Sequence, residues 1–245
     1  MTRHLCIDCG NTRIKAAVFE GEKLVASVVT DYDDLTPLVA MARRARPQAA
    51  LMASTSHGSA QVTEVLGGEL PCKLQELDHT TPMPLDIAYR TPSTLGRDRM
   101  ATAVGAWAEY PGCNLLVVDA GTCITLDVVL ASGSLLGGNI APGVTMRLQA
   151  MHEHTSRLPL VELDGDVPLV AYDTTTALRS GAVLGAAAQI DLMAAQLKGT
   201  LGQLKVMLTG GDAQLLAQHL VTDSVDVVDD LLLRGMNTII MYNEL

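Results

Sequence analysis

Apolar residues recur along the chain with two periods, and stretches of the two alternate. Residues 4–9, 13–20 and 23–30 run apolar or alternate with polar positions, and Glu20-Gly21-Glu22-Lys23 supplies a turn. That pattern predicts a strand followed by a hairpin meander. Residues 33–46 place Leu35, Leu38, Val39 and Ala42 at helical spacing, carry a basic last turn, and stop at Pro47. A strand near 49–53, a helix near 59–67 and a strand near 71–77 continue in a βαβ rhythm. Residues 78–96 hold several prolines and few apolar side chains, which predicts a long surface loop before a helix over 97–109.

The second half repeats the plan. Strands are predicted near 114–119, 123–130 and 134–140, with Ser132-Gly133 turning the chain. A helix over 143–155 follows, with Pro142 in its first turn, where proline is tolerated. Residues 175–198 are alanine-rich and give the longest helix. A strand at 204–208, a helix over 212–220 and a closing helix over 229–242 complete the chain. Two α/β lobes follow, residues 1–112 and 113–245, divided near Tyr110-Pro-Gly-Cys-Asn114.

The halves also share a chemical device. Residues 5–15 read Leu-Cys-Ile-Asp8-Cys9-Gly10-Asn11-Thr12-Arg13-Ile14-Lys15, and residues 115–125 read Leu-Leu-Val-Val-Asp119-Ala-Gly121-Thr122-Cys123-Ile-Thr125. Each ends an apolar strand in Asp-x-Gly with a hydroxyl residue close behind. A carboxylate there can hold a metal ion, and glycine lets backbone N–H groups approach a phosphate. Taken singly, Asp8 to Lys15 also reads as a tight hairpin turn, where Asp, Asn and Gly are common. The echo at Asp119 favours a nucleotide gripped by two related lobes.

Composition narrows the field. Hydrophobic residues make up 48% of the 245 and charged residues 18%, which describes a globule with a sizeable core. The net charge of −10, with 3% aromatic residues, argues against nucleic-acid binding, which needs basic faces and stacking rings. Bound anions must then be met by local cations or a metal. The first residues lack the apolar run of a signal peptide, and no stretch reaches a membrane span, so a cytoplasmic protein without a membrane partner is expected. The five cysteines are an odd, scattered count. Cys6 and Cys9 are three apart on a strand and point to opposite faces, so they read as buried small hydrophobes.

Three more segments could carry chemistry. Gly96-Arg97-Asp98-Arg99 opens a helix. It reads equally as an acid placed in a first turn and as a carboxylate base beside a guanidinium that clamps an anion. Gly137-Gly138-Asn139-Ile140-Ala141-Pro142-Gly143 and Gly210-Gly211-Asp212 are each either an ordinary strand–helix joint or a place where backbone meets ligand. The chain has no Walker-type phosphate loop, no dinucleotide fingerprint and no zincin helix.

Taken together, these residues resemble the acetate/sugar kinase, Hsp70 and actin superfamily. More narrowly, the chain resembles the type III pantothenate kinases along nearly its whole length. The resemblance rests on Asp8-Cys-Gly-Asn-Thr12, Tyr89 ahead of Gly96-Arg-Asp98-Arg99, Asp119-Ala-Gly-Thr122, Gly138-Asn-Ile-Ala-Pro-Gly143, and Thr174 leading to Ser180-Gly181. It implies duplicated actin-like (ribonuclease H-like) lobes with a nucleotide cleft between them. The implied reaction is ATP-dependent phosphorylation of pantothenate, the first step of coenzyme A biosynthesis. By the same resemblance Asp8, Cys9, Gly10, Asn11, Thr12, Arg13, Ile14, Lys15 and Thr122 hold ATP, and Asp98 accepts the proton. Tyr89, Gly96, Arg97, Asp98, Arg99 and Thr174 meet pantothenate. Asp119 holds potassium or ammonium, and Asp8 holds magnesium, directly or through water. A homodimer is implied, with Thr174 reaching pantothenate in the partner subunit. Two departures stand out: Asp173 where the family often has Asn, and Cys123 where it often has Ala. A same-fold kinase of another small alcohol and a non-catalytic nucleotide-binding regulator are the alternatives. Intact Asp8, Asp98 and Asp119 argue against the regulator.

Overall fold

The computed structural model describes residues 2–54 and 58–243. In chain order the elements are β1 (Arg3–Cys9), β2 (Ile14–Glu20), β3 (Lys23–Thr30), α1 (Thr36–Ala45), β4 (Ala49–Ser54), α2 (Ser59–Gly67), β5 (Leu74–Glu76), β6 (Asp86–Ile87), a 3-10 turn (Pro92–Thr94) and α3 (Arg97–Glu109). Then come β7 (Leu115–Ala120), β8 (Cys123–Val129), β9 (Ser134–Pro142), α4 (Val144–Glu153), α5 (Thr174–Leu201), β10 (Lys205–Thr209), α6 (Ala213–Ala217), β11 (Val225–Val227) and α7 (Leu231–Asn243). Two compact units result. One comprises residues 1–112, 132–136 and 230–245, the other residues 113–131 and 137–229.

The sheet of the first unit has the order β3-β2-β1-β4-β5. Its first three strands form the antiparallel meander, and β4 and β5 join parallel, each after a helix. The other sheet has the order β6-β9-β8-β7-β10-β11, and its last five strands repeat the order of the first sheet. There β7 pairs antiparallel with β8 and parallel with β10, and β10 pairs parallel with β11. Each sheet thus has a central strand, β1 or β7, flanked on both sides and buried on both faces. That burial explains the near-continuous apolar runs at residues 4–9 and 115–120.

Each unit has its own core. In the first, Leu5, Ile7, Cys9, Ile14, Ala16 and Val18 meet Leu38, Met41 and Ala42 of α1 and Val62 and Leu66 of α2. In the second, Leu116, Val118 and Leu126 meet Val144 and Leu148 of α4 and Leu178, Ala182, Val183, Ala186 and Ile190 of α5. The C-terminal helix α7 packs on α3 within the first unit. Their backbones approach so closely that a Cβ on Gly235 would overlap the carbonyl oxygen of Ala101. A buried polar clasp fixes the same helix. Asn237 donates from Nδ2 to the Gly21 carbonyl at 2.8 Å, which leaves its Oδ1 to accept from His4 Nδ1, also at 2.8 Å.

Several expectations need correction. Pro142 ends strand β9 instead of opening a helix, and α4 starts at Val144 behind the cap residue Gly143. Proline has no N–H to give a ladder, and here it stands as the last residue of its strand, where the ladder stops. The loop at 78–96 contains β6 and the 3-10 turn, and buries Leu85 and Leu95. The helix expected over 212–220 is the single turn and a half of α6, and β11 has no counterpart among the predicted elements. Short edge elements owe their existence to a neighbour and carry too few residues for a period to show.

Candidate active site

In each unit an aspartate occupies the next-to-last position of the central strand. Asp8 lies opposite Lys15 on β2 and Ala53 on β4. Asp119 lies opposite Thr125 on β8 and Thr209 on β10. Both strands end at the carboxyl edge of a sheet where the order of connection reverses, the place where open α/β sheets bind ligands. The register makes the two sites equivalent, which sequence similarity alone only suggested.

Around Asp8 the chain turns tightly. Gly10 N donates to the Arg13 carbonyl at 3.1 Å, closing the turn between β1 and β2. Asn11, Thr12, Arg13 and Lys15 are exposed and offer their side chains, whereas the Cys9 and Ile14 side chains are buried, so those two can offer a ligand only backbone. Burial, reinforced by the charges of Asp8 and Glu76, pushes the Cys9 thiol up to about 12, and burial pushes Cys6 higher still. Both thiols stay protonated at neutral pH, which removes thiolate chemistry from this turn.

Asp119 is crowded by the chain that follows β10. Gly210, at φ +96°, lies so close that a Cβ there would be 2.6 Å from Asp119 Oδ1 and would overlap the Ala120 carbonyl oxygen. Gly143 is equally confined: its Cβ would reach within 2.5 Å of the Thr122 carbonyl and overlap that of Gly121. Gly143 N donates to the Thr122 carbonyl at 3.1 Å, and Asp212 N to the Ala120 carbonyl at 3.0 Å. Gly143 and residues 210–212 therefore both close on the turn 119–122, whereas Gly138 packs against Leu126 of β8. Burial raises the Asp212 carboxyl above its ordinary range.

This donor set fits a monovalent cation. A carboxylate with a backbone carbonyl close by suits a hard ion of low charge. Among the described residues no three His, Cys, Asp or Glu side chains gather into a metal cluster. Magnesium needs less: it is commonly held by one or two carboxylates together with substrate phosphates, a role open to Asp8.

The Gly96–Arg99 segment opens α3, with Gly96 at the cap and Asp98 in the first turn. The Asp98 carboxylate lies over the cap, where a Cβ on Gly96 would overlap Oδ1. Arg99 is buried, and its guanidinium stands 5.7 Å above the Tyr89 ring, a cation–π contact. The first unit thus brings Tyr89, Gly96, Asp98 and Arg99 together. Arg97 beside them keeps a buried Nε without a hydrogen-bond partner among the described residues, an arrangement suited to receiving an anion.

Thr174 is the first residue of α5 and is exposed. Asp173 caps this helix: its carboxylate accepts from Thr176 N at 2.7 Å and the Thr176 hydroxyl closes the reciprocal bond. Those bonds hold the Asp173 carboxyl below its ordinary range. The departure from Asn at this position therefore has a local reason, since Asp and Asn cap about equally well. Arg179 is buried one turn on and donates to the carbonyls of Glu162 and Asp166 at 3.0 and 3.2 Å, tying down the segment before the helix.

Known proteins resemble this chain closely. The profile of the type III pantothenate kinase family matches residues 4–196. A type III pantothenate kinase of Bacteroides fragilis is 40% identical over 241 residues, 98% of each chain. Among solved structures, a Campylobacter jejuni protein assigned to the Baf family of transcriptional activators superposes with a TM-score of 0.64 at 22% identity, over 98% of both chains. The activator of 2-hydroxyisocaproyl-CoA dehydratase from Clostridium difficile, solved with ADPNP, superposes with a TM-score of 0.54 at 15% identity, over 98% of this chain and 94% of its own. At such identities the likeness is one of fold, that of the actin-like ATPases.

Proposed function

The chain belongs to the type III pantothenate kinase family, and from that premise we infer that it transfers the γ-phosphoryl group of ATP to pantothenate, the first step of coenzyme A biosynthesis. The observation that carries the reading is the repeated strand end. Asp8 and Asp119 occupy the same position of the same strand in two copies of one sheet plan. Phosphoryl transfer asks a protein mainly to position groups and neutralise charge.

The roles divide as follows. Residues 8–15 and Thr122 hold ATP, with exposed Asn11, Thr12, Arg13 and Lys15 supplying side chains. Asp98 takes the proton of the pantothenate hydroxyl. Tyr89, Gly96, Arg97, Arg99 and Thr174 bind pantothenate, with the arginines facing its carboxylate. Asp119 would hold potassium or ammonium, and Asp8 would hold magnesium. Bound cations supply positive charge that a chain of net charge −10 lacks.

We also read the active form as a homodimer. Helix α5 buries one face in its own unit, yet Gly181, Gly185, Ala188 and Leu192 form an exposed stripe at helical spacing. Just ahead of Thr174, Leu169, Val170 and Tyr172 are 89%, 83% and 69% exposed. Apolar exposure at that density beside a substrate residue supports a partner subunit. No described helix is long and apolar enough to cross a membrane, and we place the reaction in the cytoplasm.

The test is ADP release measured with pantothenate and, in parallel, with other small alcohols, each in potassium, ammonium and sodium salts at equal ionic strength. Pantothenate in potassium or ammonium should give the fastest rate. Equal rates in sodium would remove the cation role of Asp119, and faster turnover of another alcohol would replace pantothenate as substrate.

A further inference from the structure

The segment after β3 braces the turn between β1 and β2. Because Ile14 pairs with Thr30 in the β2–β3 register, the residues just before β2 and just after β3 are neighbours. Tyr32 uses that proximity. Its hydroxyl donates to the carbonyl oxygen of Gly10 at 2.7 Å. Its ring lies against Gly58 so closely that a Cβ there would overlap ring carbons, and Gln61 Nε2 donates to the Tyr32 carbonyl at 3.3 Å. The turn carrying Tyr32 is itself held, with Thr30 Oγ1 donating to the Asp34 carbonyl and Asp34 N to that of Asp31. An ion pair from Arg13 to Asp31 at 3.6 Å is a weaker second tie, since both side chains are exposed.

Peptide geometry gives this bond a consequence for ligand binding. A trans peptide unit is planar, so its C=O and the following N–H point in opposite directions. Fixing the Gly10 carbonyl towards Tyr32 therefore fixes the Asn11 N–H away from it. Gly10 N is already committed to the Arg13 carbonyl. Glycine gives this peptide little orientation of its own, so the Tyr32 hydroxyl decides which way it faces. A turn already set in its binding conformation spares the ligand the cost of ordering it.

We propose that Tyr32 is a positioning residue for the nucleotide: through the Gly10 carbonyl it aims the Asn11 amide at a phosphate oxygen of ATP. The proposal rests on the assignment of residues 8–15 to ATP. Tyr32→Phe tests it, because the ring stays on Gly58 while the hydroxyl's bond to the Gly10 carbonyl is lost, together with its contact to the Cys9 thiol. A net hydrogen bond of ordinary strength corresponds to a rise of about five- to tenfold in KM for ATP and in Kd for ADP by calorimetry. The KM for pantothenate and kcat at saturating ATP should stay close to wild type, and the melting temperature should fall by no more than about 2–4 °C, the worth of one hydrogen bond. Thr12→Val is measured beside it as the test of the underlying assignment. If Thr12→Val raises the KM for ATP and Tyr32→Phe does not, Tyr32 has no positioning role. If neither moves it, the nucleotide assignment of the turn falls as well. Equal rises in both substrates' KM with a larger fall in melting temperature would make Tyr32 a general structural residue and overturn the proposal.

Discussion

Asp98 stands in the first turn of α3 with Arg97 and Arg99 on either side, and the proposed base is tested by one atom. Asp98→Asn keeps the shape of the side chain and removes its ability to take a proton. The expected loss in turnover is about 10²–10⁴-fold, with ATP binding and melting temperature retained. A variant keeping more than about a third of wild-type turnover would show that the proton goes elsewhere. Asp173 offers a second test. Its bonds to Thr176 hold the carboxyl below the usual carboxylate range, so its charge contributes stability above that range, lost as pH falls through the folded-state value. Asp173→Asn should match wild-type melting at pH 7, because Asn also caps, and should lose less than wild type below about pH 4. Removing a charge next to Thr174 should also lower the KM for pantothenate about two- to fivefold, an effect that fades in high salt. An unchanged KM at low salt would show that Asp173 lies outside the reach of the substrate carboxylate.

At the scale of elements, the long, periodic or continuously apolar stretches were legible. The central strands, the meanders and helices α1, α3 and α5 follow from runs whose burial the fold then explains. What sequence could not reveal was contact between distant segments. Gly143 and Gly210 read as separate strand–helix joints; the register of β7 with β10 brings Gly210 to Asp119, and the bond from Gly143 N to the Thr122 carbonyl brings Gly143 to the turn that follows it. Tyr32 carried no motif at all; its place beside Gly10 is a product of the β2–β3 pairing. The sequence likewise could not say that α7 returns to the first unit, because the signal is two glycines, Gly105 and Gly235, more than a hundred residues apart. Gly235→Ala should force α3 and α7 apart and cost about 1–3 kcal/mol. Thermal unfolding checks this, and a melting temperature equal to wild type would mean that the two helices separate without penalty.

For the whole molecule, duplication is the organising fact. One sheet plan occurs twice, with an aspartate near the end of each central strand, in a chain that belongs to the type III pantothenate kinase family. If Thr174 completes the partner subunit's site, two inactive chains should rescue each other. Mixing Asp98→Asn with Thr174→Val subunits, after exchange, should restore activity, since a mixed dimer holds one site with both residues intact. Activity no higher than the sum of the separate variants would assign Thr174 to its own subunit or to no site. The most direct measurement remains the reaction itself. Purified protein is incubated with ATP, magnesium, potassium and pantothenate, and products are followed by mass spectrometry. The prediction is one ADP for each pantothenate that gains a phosphoryl group, with neither product formed when pantothenate is left out. ATP hydrolysis that leaves pantothenate unchanged, or no ATP consumption at all, would contradict the account.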